Sequence, residues 1–144
     1  MFIGTSEQKT DDKNRLIIPI KWREALGSTC YLCAAPEGCL FIYTEEEWNR
    51  VASQIVQNSR NIEDRAKQRQ FLYGATDANV DKQGRVTLTP ILMKRAGIKK
   101  EIVVNGGCNR IEIWAQDRWD NAPGSPDVGE GSILDEDQFP DMNW

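Results

Sequence analysis

Two short segments of this 144-residue chain combine residue types and spacing suited to recognising an anion or a base edge. They are Asp11-Asp12-Lys13-Asn14-Arg15 and Asp81-Lys82-Gln83-Gly84-Arg85, each with the pattern Asp-x-x-x-Arg. A guanidinium such as that of Arg15 or Arg85 presents a planar fork of donors that matches a phosphate, or O6 and N7 of guanine. Lys13 and Lys82 add point charge for backbone phosphates, and the Asn14 and Gln83 amides have the donor and acceptor needed at a base edge. Asp11 and Asp81 would be repelled by phosphate, so their expected job is structural: accepting N–H groups of the turn and holding the arginine. A single Asp-x-x-x-Arg can equally be a surface ion pair worth about 0–1 kcal/mol. For a single copy the ion pair is the favoured reading, and a second copy at an equivalent place weighs against it, more firmly for Arg15. For Arg85, ligand contact and support of the core or of a subunit interface are both open readings.

The elements around these segments repeat as well. Gly4 to Arg15 aligns with Gly74 to Arg85, and Leu40-Phe41-Ile42-Tyr43 aligns with Ile111-Glu112-Ile113-Trp114, with Trp48 matching Trp119. Two copies are too few for a solenoid and suit one domain with pseudo-two-fold symmetry. In each copy a polar, alternating stretch leads into the Asp-x-x-x-Arg turn, where Asn14 or Gly84 tolerates positive φ. A short β-branched strand follows. A proline then opens a helix, expected over 20–26 and 91–96, with Gly27 and Gly97 placed as left-handed caps. Strands are expected at 30–34, 40–43, 101–105 and 110–114. Between the copies, Thr44 and Glu47 have capping-box spacing, and Trp48, Val51, Ala52, Ile55 and Val56 share one helical face. Asn58 to Asn61 breaks that helix, and a second is expected from Ile62 to Tyr73, basic on its exposed side through Arg65, Lys67 and Arg69.

Composition narrows the function classes. With no histidine, His-based triads, His-ligated zinc and imidazole switches are excluded. The 40% hydrophobic and 28% charged content is that of a globular chain. No apolar run approaches the ~18 residues of a membrane span. Met-Phe-Ile-Gly lacks the basic start and apolar core of a signal peptide, so a cytoplasmic location is expected. The net charge of -4 conceals a partition. Six carboxylates lie from Asp127 onward with no Lys or Arg, whereas residues 1–126 carry 18 basic against 16 acidic residues, a net of +2. The segment 123–144 reads as an acidic, flexible tail. Trp144 at its end is a weak candidate for docking. Cys30 and Cys33 form Cys-x-x-Cys, but on a strand their side chains point to opposite faces, so buried free thiols are expected and a zinc site is not. No phosphate loop or nucleophile elbow is present.

These motifs resemble the MraZ family of bacterial regulators, which have a duplicated SpoVT/AbrB-like fold. The resemblance rests on Met-Phe-Ile-Gly at 1–4, Asp11-x-x-x-Arg15-Leu-Ile-Ile-Pro19, Lys21-Trp22-Arg23-Glu24, Gly38-Cys-Leu-Phe-Ile-Tyr43 before Glu47-Trp48, Gly74-Ala75-Thr76, Asp81-Lys82-Gln83-Gly84-Arg85 and Asn109-Arg110-Ile111-Glu112-Ile113-Trp114. It spans about residues 1–120. Asn14 departs from the family's usual glycine, and Thr89 from its usual proline. The resemblance implies an α+β fold of two β-barrel-like SpoVT/AbrB-like repeats with pseudo-two-fold symmetry, linked by helices. The parts would be 1–43, 44–73 and 74–122, with 1–122 folding as one domain. It implies a non-enzyme without cofactor or metal: a sequence-specific transcriptional regulator of double-stranded DNA, nucleoid-associated, binding short direct repeats upstream of the division and cell-wall gene cluster as a ring-shaped homo-oligomer. It also supports adding Arg23, near Lys9 and Lys21, to the DNA-facing set. The competing reading is an AbrB-like antitoxin or protein-interaction scaffold. Arg110 and Glu112, alternating on a strand, are candidates for pairing across an interface.

Overall fold

The computed structural model describes residues 1–124. The expectations for the acidic tail and Trp144 therefore lie outside the described residues. In chain order the elements are β1 (Thr5–Lys9), β2 (Arg15–Ile17), α1 (Ile20–Leu26), β3 (Thr29–Ala34), β4 (Leu40–Thr44), α2 (Glu45–Gln57), α3 (Ile62–Leu72), β5 (Thr76–Asn79), β6 (Arg85–Thr87), α4 (Pro90–Ala96), β7 (Glu101–Gly106), β8 (Ile111–Ala115) and α5 (Gln116–Asn121).

Among the described residues, eight strands form two sheets. Six run in the order β1-β7-β8-β4-β3-β5, and β2 pairs with β6 as a separate ribbon. The six-strand order is palindromic under exchange of the two copies. β1 of the first copy pairs with β7 of the second, from Thr5↔Asn105 to Lys9↔Glu101. β5 of the second pairs with β3 of the first, from Thr29↔Asn79 to Leu32↔Thr76. At the centre of the large sheet Phe41 lies opposite Glu112, and at the centre of the ribbon Leu16 lies opposite Val86. Each of these pairs joins equivalent positions of the repeat, so one pseudo-two-fold axis passes through both.

The polar stretches ahead of each Asp-x-x-x-Arg turn are thus edge strands. They bury little side chain: four of the five residues of β1 are exposed. Their gain is in backbone pairing, and their polar, charged character suits an exposed edge.

The ribbon, α1 and α4 close one face of the six-stranded sheet. Leu16, Ile18, Trp22, Val86, Leu88 and Leu92 meet Leu32, Ile42, Ile102, Val104, Ile111 and Ile113 in a buried cluster. The other face carries Cys33, Phe41, Tyr43, Val103 and Trp114, covered by Trp48 and Val51 of α2, Phe71 of α3 and Trp119 of α5. Burial on both faces explains why β4 reads as a continuous apolar run without alternation. Tyr31 and Trp48 stack with ring centroids 5.7 Å apart, anchoring α2. Cys30 and Cys33 fall into the two different clusters. Burial pushes each thiol up to about 12, so both stay protonated.

Local chemistry explains the helix boundaries. Thr44 Oγ1 accepts the Glu47 N–H at 3.1 Å, as the capping spacing predicts, and Asn61 Oδ1 accepts the Asp64 N–H at 2.8 Å. In the second copy Thr89 stands before Pro90 as a cap, its hydroxyl accepting the Leu92 N–H at 3.3 Å. The departure from proline therefore supplies a capping oxygen. Gly97 is a left-handed cap with φ 64° and ψ 26°, but Gly27, with φ 82° and ψ -172°, leaves its helix into extended backbone. Val56, placed by periodicity on the apolar face of α2, is 71% exposed and lies outside the apolar cluster that takes up Trp48 and Val51. Helix α5 has no sequence expectation; at six residues it is too short for a periodic signal. Among the described residues, no helix is long and apolar enough to cross a membrane.

Leu16 is fully buried at the symmetry axis. Replacing it with alanine is expected to cost about 2–5 kcal/mol of unfolding free energy. Val56→Ser, on the exposed side of α2, should stay within about 0.5 kcal/mol. Urea unfolding of both variants checks the pair of values.

Candidate nucleic-acid interface

Each Asp-x-x-x-Arg segment folds around its aspartate. Asp11 Oδ1 accepts the backbone N–H groups of Lys13 and Arg15, both at 2.9 Å, while Oδ2 accepts Arg15 Nε–H at 2.7 Å. Asp81 repeats the arrangement with Gln83 N–H at 2.9 Å, Arg85 N–H at 2.8 Å and Arg85 Nε–H at 2.7 Å. The turns close through the Asn14 N–H to Asp11 and Gly84 N–H to Asp81 carbonyl bonds. Asn14 has φ 59° and Gly84 φ 78°, so both turns require the left-handed region that glycine and asparagine enter most readily. Each carboxylate fixes its own turn and its own arginine at once. The clamp uses Nε only. Among the described residues the terminal nitrogens of Arg15 and Arg85 make no hydrogen bond, so both η-amino groups of each fork are available.

The β2–β6 ribbon then brings the two arginines together. Leu16 and Val86 point inward, so Arg15, Ile17, Arg85 and Thr87 share the outward face. Arg15 pairs with Thr87 and Ile17 with Arg85, making the arginines diagonal neighbours, about 7–8 Å apart between Cα atoms. Lys13 and Asn14 extend exposed at one end of the ribbon, Lys82 and Gln83 at the other. Each turn is also tied to the opposite copy: the Ile18 N–H donates to Gly84 O at 2.8 Å, and the Leu88 N–H to Asn14 O at 2.9 Å.

Arg23 occupies a different position from the loop residues. Its Nε donates to Ile18 O at 2.9 Å, and its guanidinium lies so close over Gly84 that a Cβ there would collide with it. Arg23 of the first copy thus leans on the loop of the second. The equivalent position in the second copy is Met93, partly buried against the core. Gln8 is a further residue that sequence reasoning missed. Its amide pairs with both backbone groups of Ile17, accepting the N–H at 3.1 Å and donating to the carbonyl at 2.6 Å. That bond closes the free edge of β2, and no sequence signal announces it because the partner is backbone.

Other candidate chemistry is weaker. Arg110 lies over the Phe41 ring at 4.1 Å from its centroid, and Glu112 accepts from Asn105 Nδ2 at 2.9 Å and from Trp114 Nε1 at 3.2 Å. The two side chains point into the fold's second core face, with no ion pair between them among the described residues. Glu37, Cys39 and Glu112 bring one ligand atom each within 4.8 Å. Burial and the two carboxylates both raise the Cys39 thiol, and one Glu112 oxygen is already occupied by Asn105 and Trp114. This triplet therefore offers a neutral thiol and a partly engaged carboxylate, a poor donor set for a cation.

The fold and its paired loops define a SpoVT/AbrB-like protein with both copies fused in one chain. The family model described as "MraZ protein, putative antitoxin-like" matches residues 1–70 and 71–122. Relatives named transcriptional regulator MraZ occur in Lachnoclostridium phytofermentans, 40% identical over 84% of this chain and 86% of theirs, and in Lactobacillus delbrueckii subsp. bulgaricus, 42% identical over 83% and 85%. Another, from Heliobacterium modesticaldum, is 37% identical over 92% of this chain and 97% of its own. The chain belongs to the MraZ family, a family of regulators and not of enzymes.

In both loops the backbone bond from the arginine N–H leads the stabilisation of the aspartate anion, holding Asp11 and Asp81 below the usual carboxylate value of 3.8. A lowered native pKa means that the stabilisation is present above 3.8 and is lost as pH falls through the lower folded value. Carboxyl NMR titration should place both midpoints below 3.8, and Arg85→Ala should raise the Asp81 midpoint while leaving Asp11 in place.

Proposed function

We propose that the protein is a sequence-specific transcriptional regulator of double-stranded DNA, and that the outward face of the β2–β6 ribbon with its two loops is the DNA-reading surface. The observation that carries this reading is the pair of arginines on one exposed face, each clamped through Nε with its two η-amino groups free. Such a clamp removes the conformational entropy of the fork before DNA arrives and aims donors outward. Arg15 and Arg85 are assigned base-edge or phosphate contacts, Lys13 and Lys82 phosphates, Asn14 and Gln83 base edges. Asp11 and Asp81 hold the loops. Arg23 adds charge from behind the second loop, its Nε being committed to Ile18. The names of the relatives support the regulator reading.

A two-stranded ribbon fits the width of the major groove. A few cations per subunit give weak and salt-sensitive binding. We therefore assign tight operator binding to a homo-oligomeric ring that presents the same surface to successive short direct repeats, raising avidity without new contacts. These would be repeats upstream of the division and cell-wall gene cluster, read by a cytoplasmic, nucleoid-associated protein. The exchange of β1 and β5 between copies supports treating 1–122 as a single folding unit, in which the segments 1–43 and 74–122 are repeats joined by 44–73.

Arg15→Ala is expected to weaken binding to a multi-repeat operator fragment by about tenfold or more, the equivalent of ~1–3 kcal/mol per lost bidentate contact, while the elution volume in size exclusion stays that of wild type. Unchanged affinity would remove Arg15 from the interface. Lys13→Ala should lower affinity evenly across sequences and reduce the slope of log K against log salt by about 1.

A further inference from the structure

We propose that the acidic C-terminal segment, centred on residues 133–141, docks in the basic groove between α3 and α4 of its own chain. The groove holds about 800 Å³. Tyr73, Pro90 and Ile91 give it apolar walls, and Arg69, Lys94 and Arg95 line it with three cations and no carboxylate. Arg95 is set in place by its donation to Tyr73 O at 2.6 Å and lies 5.7 Å from the Tyr73 ring centroid. Among the described residues none of these cations is in an ion pair. Tyr73 is 61% and Ile91 43% exposed, unusual for large apolar side chains beside one another.

The path of the chain selects the occupant. Arg118 of α5 donates to Arg95 O at 3.0 Å, so the last helix rests against the C-terminal end of α4. Ala122, the last buried residue, belongs to the apolar cluster that contains Ala35 and the partly buried Phe71. Those two residues line a smaller cleft of about 350 Å³ with Lys67, Gln70 and Arg95, and the last two of these also line the main groove. The smaller cleft and the main groove thus adjoin through Gln70 and Arg95, and the described chain ends after a residue of the apolar cluster that borders the cleft. The segment beyond supplies the matching pattern: Ile133-Leu134, then Asp135-Glu136-Asp137, then Phe139, with Asp141 following. Apolar residues flank an acidic triplet, as apolar walls accompany the cations of the groove. Asp135 lies eleven positions beyond Gly124, a reach of up to ~36 Å at full extension. The other lysine-rich cleft, with Lys9, Lys99 and Lys100, also contains Glu101 and Asp117, which would repel the triplet. Docking neutralises the helical side of the molecule and leaves the ribbon as its basic face. It stands independently of the DNA reading.

Carbodiimide coupling on the full-length protein tests the proposal, because it condenses a lysine amine and a carboxylate in contact into an amide with loss of water to the reagent. An equal mixture of isotopically light and heavy chains distinguishes links within a chain from links between chains. The expected products join Lys94 or Lys67 to Asp135, Glu136 or Asp137 within one chain, and fall to background in high salt. The full-length variant D135N/E136Q/D137N should shift the amide resonances of Tyr73, Ile91 and Lys94 and leave those of Lys99 and Lys100 in place. Links to Lys99, Lys100, Lys13 or Lys82 instead, links only between chains, or unmoved resonances at Tyr73 and Ile91 would each overturn it. If the coupling succeeds while Arg15→Ala leaves DNA affinity unchanged, only the DNA assignment fails.

Discussion

The pairing of Leu16 with Val86 is the contact on which the rest of the molecule depends. It joins two three-residue strands that are too short to stand alone. What holds them is that each buries its central side chain completely in the core beneath the six-stranded sheet. With that residue fixed inward, the neighbours on either side must face outward, and the arginines at Arg15 and Arg85 are such neighbours. A slip of one residue in this ladder would bury a guanidinium and expose the leucine or valine, so the register is strongly specified. The exposed basic face is a direct consequence of the inward packing and not a separately arranged feature.

Exchange of the outer strands adds a second constraint. Because β1 completes the sheet beside β7, and β5 beside β3, neither repeat has its own finished sheet. The turn that follows β1 is bonded to Leu88 of the second copy, and the turn that follows β5 to Ile18 of the first. Each loop therefore takes its aspartate clamp from its own copy and its backbone anchor from the other. Distortion of either repeat would be felt at both loops.

Much of this was legible in the sequence. The duplication, the turn chemistry and the helix caps are local signals, and Asn14, Thr44 and Thr89 each occupy the position that their side-chain chemistry suits. The opposite-face argument for Cys30 and Cys33 needed only strand periodicity. What was not legible is what depends on partners distant in the chain. The polar sequence of β1 carries little burial signal, because its stability comes from pairing with β7 roughly a hundred residues later. The Gln8 amide bonds to backbone, which no residue type advertises. The contact of Arg23 with Gly84 joins the first copy to the second, so reading each repeat by itself does not reveal it.

Fusion of the two copies has a physical consequence that an assembly of identical halves cannot have. In a symmetric pair, a residue that leans on the partner's loop must do so on both sides, and a substitution changes both loops together. Here the first copy places a guanidinium over Gly84, whereas the second places the thioether of Met93 at the equivalent position. Gly84 has to be glycine for two reasons, its positive φ and the proximity of Arg23. Asn14 has only the first constraint, and it carries a side chain there. The two loops thus share one aspartate clamp but differ in charge behind the turn and in the group at its tip. A ribbon with one amide-tipped loop and one glycine loop backed by arginine has a direction.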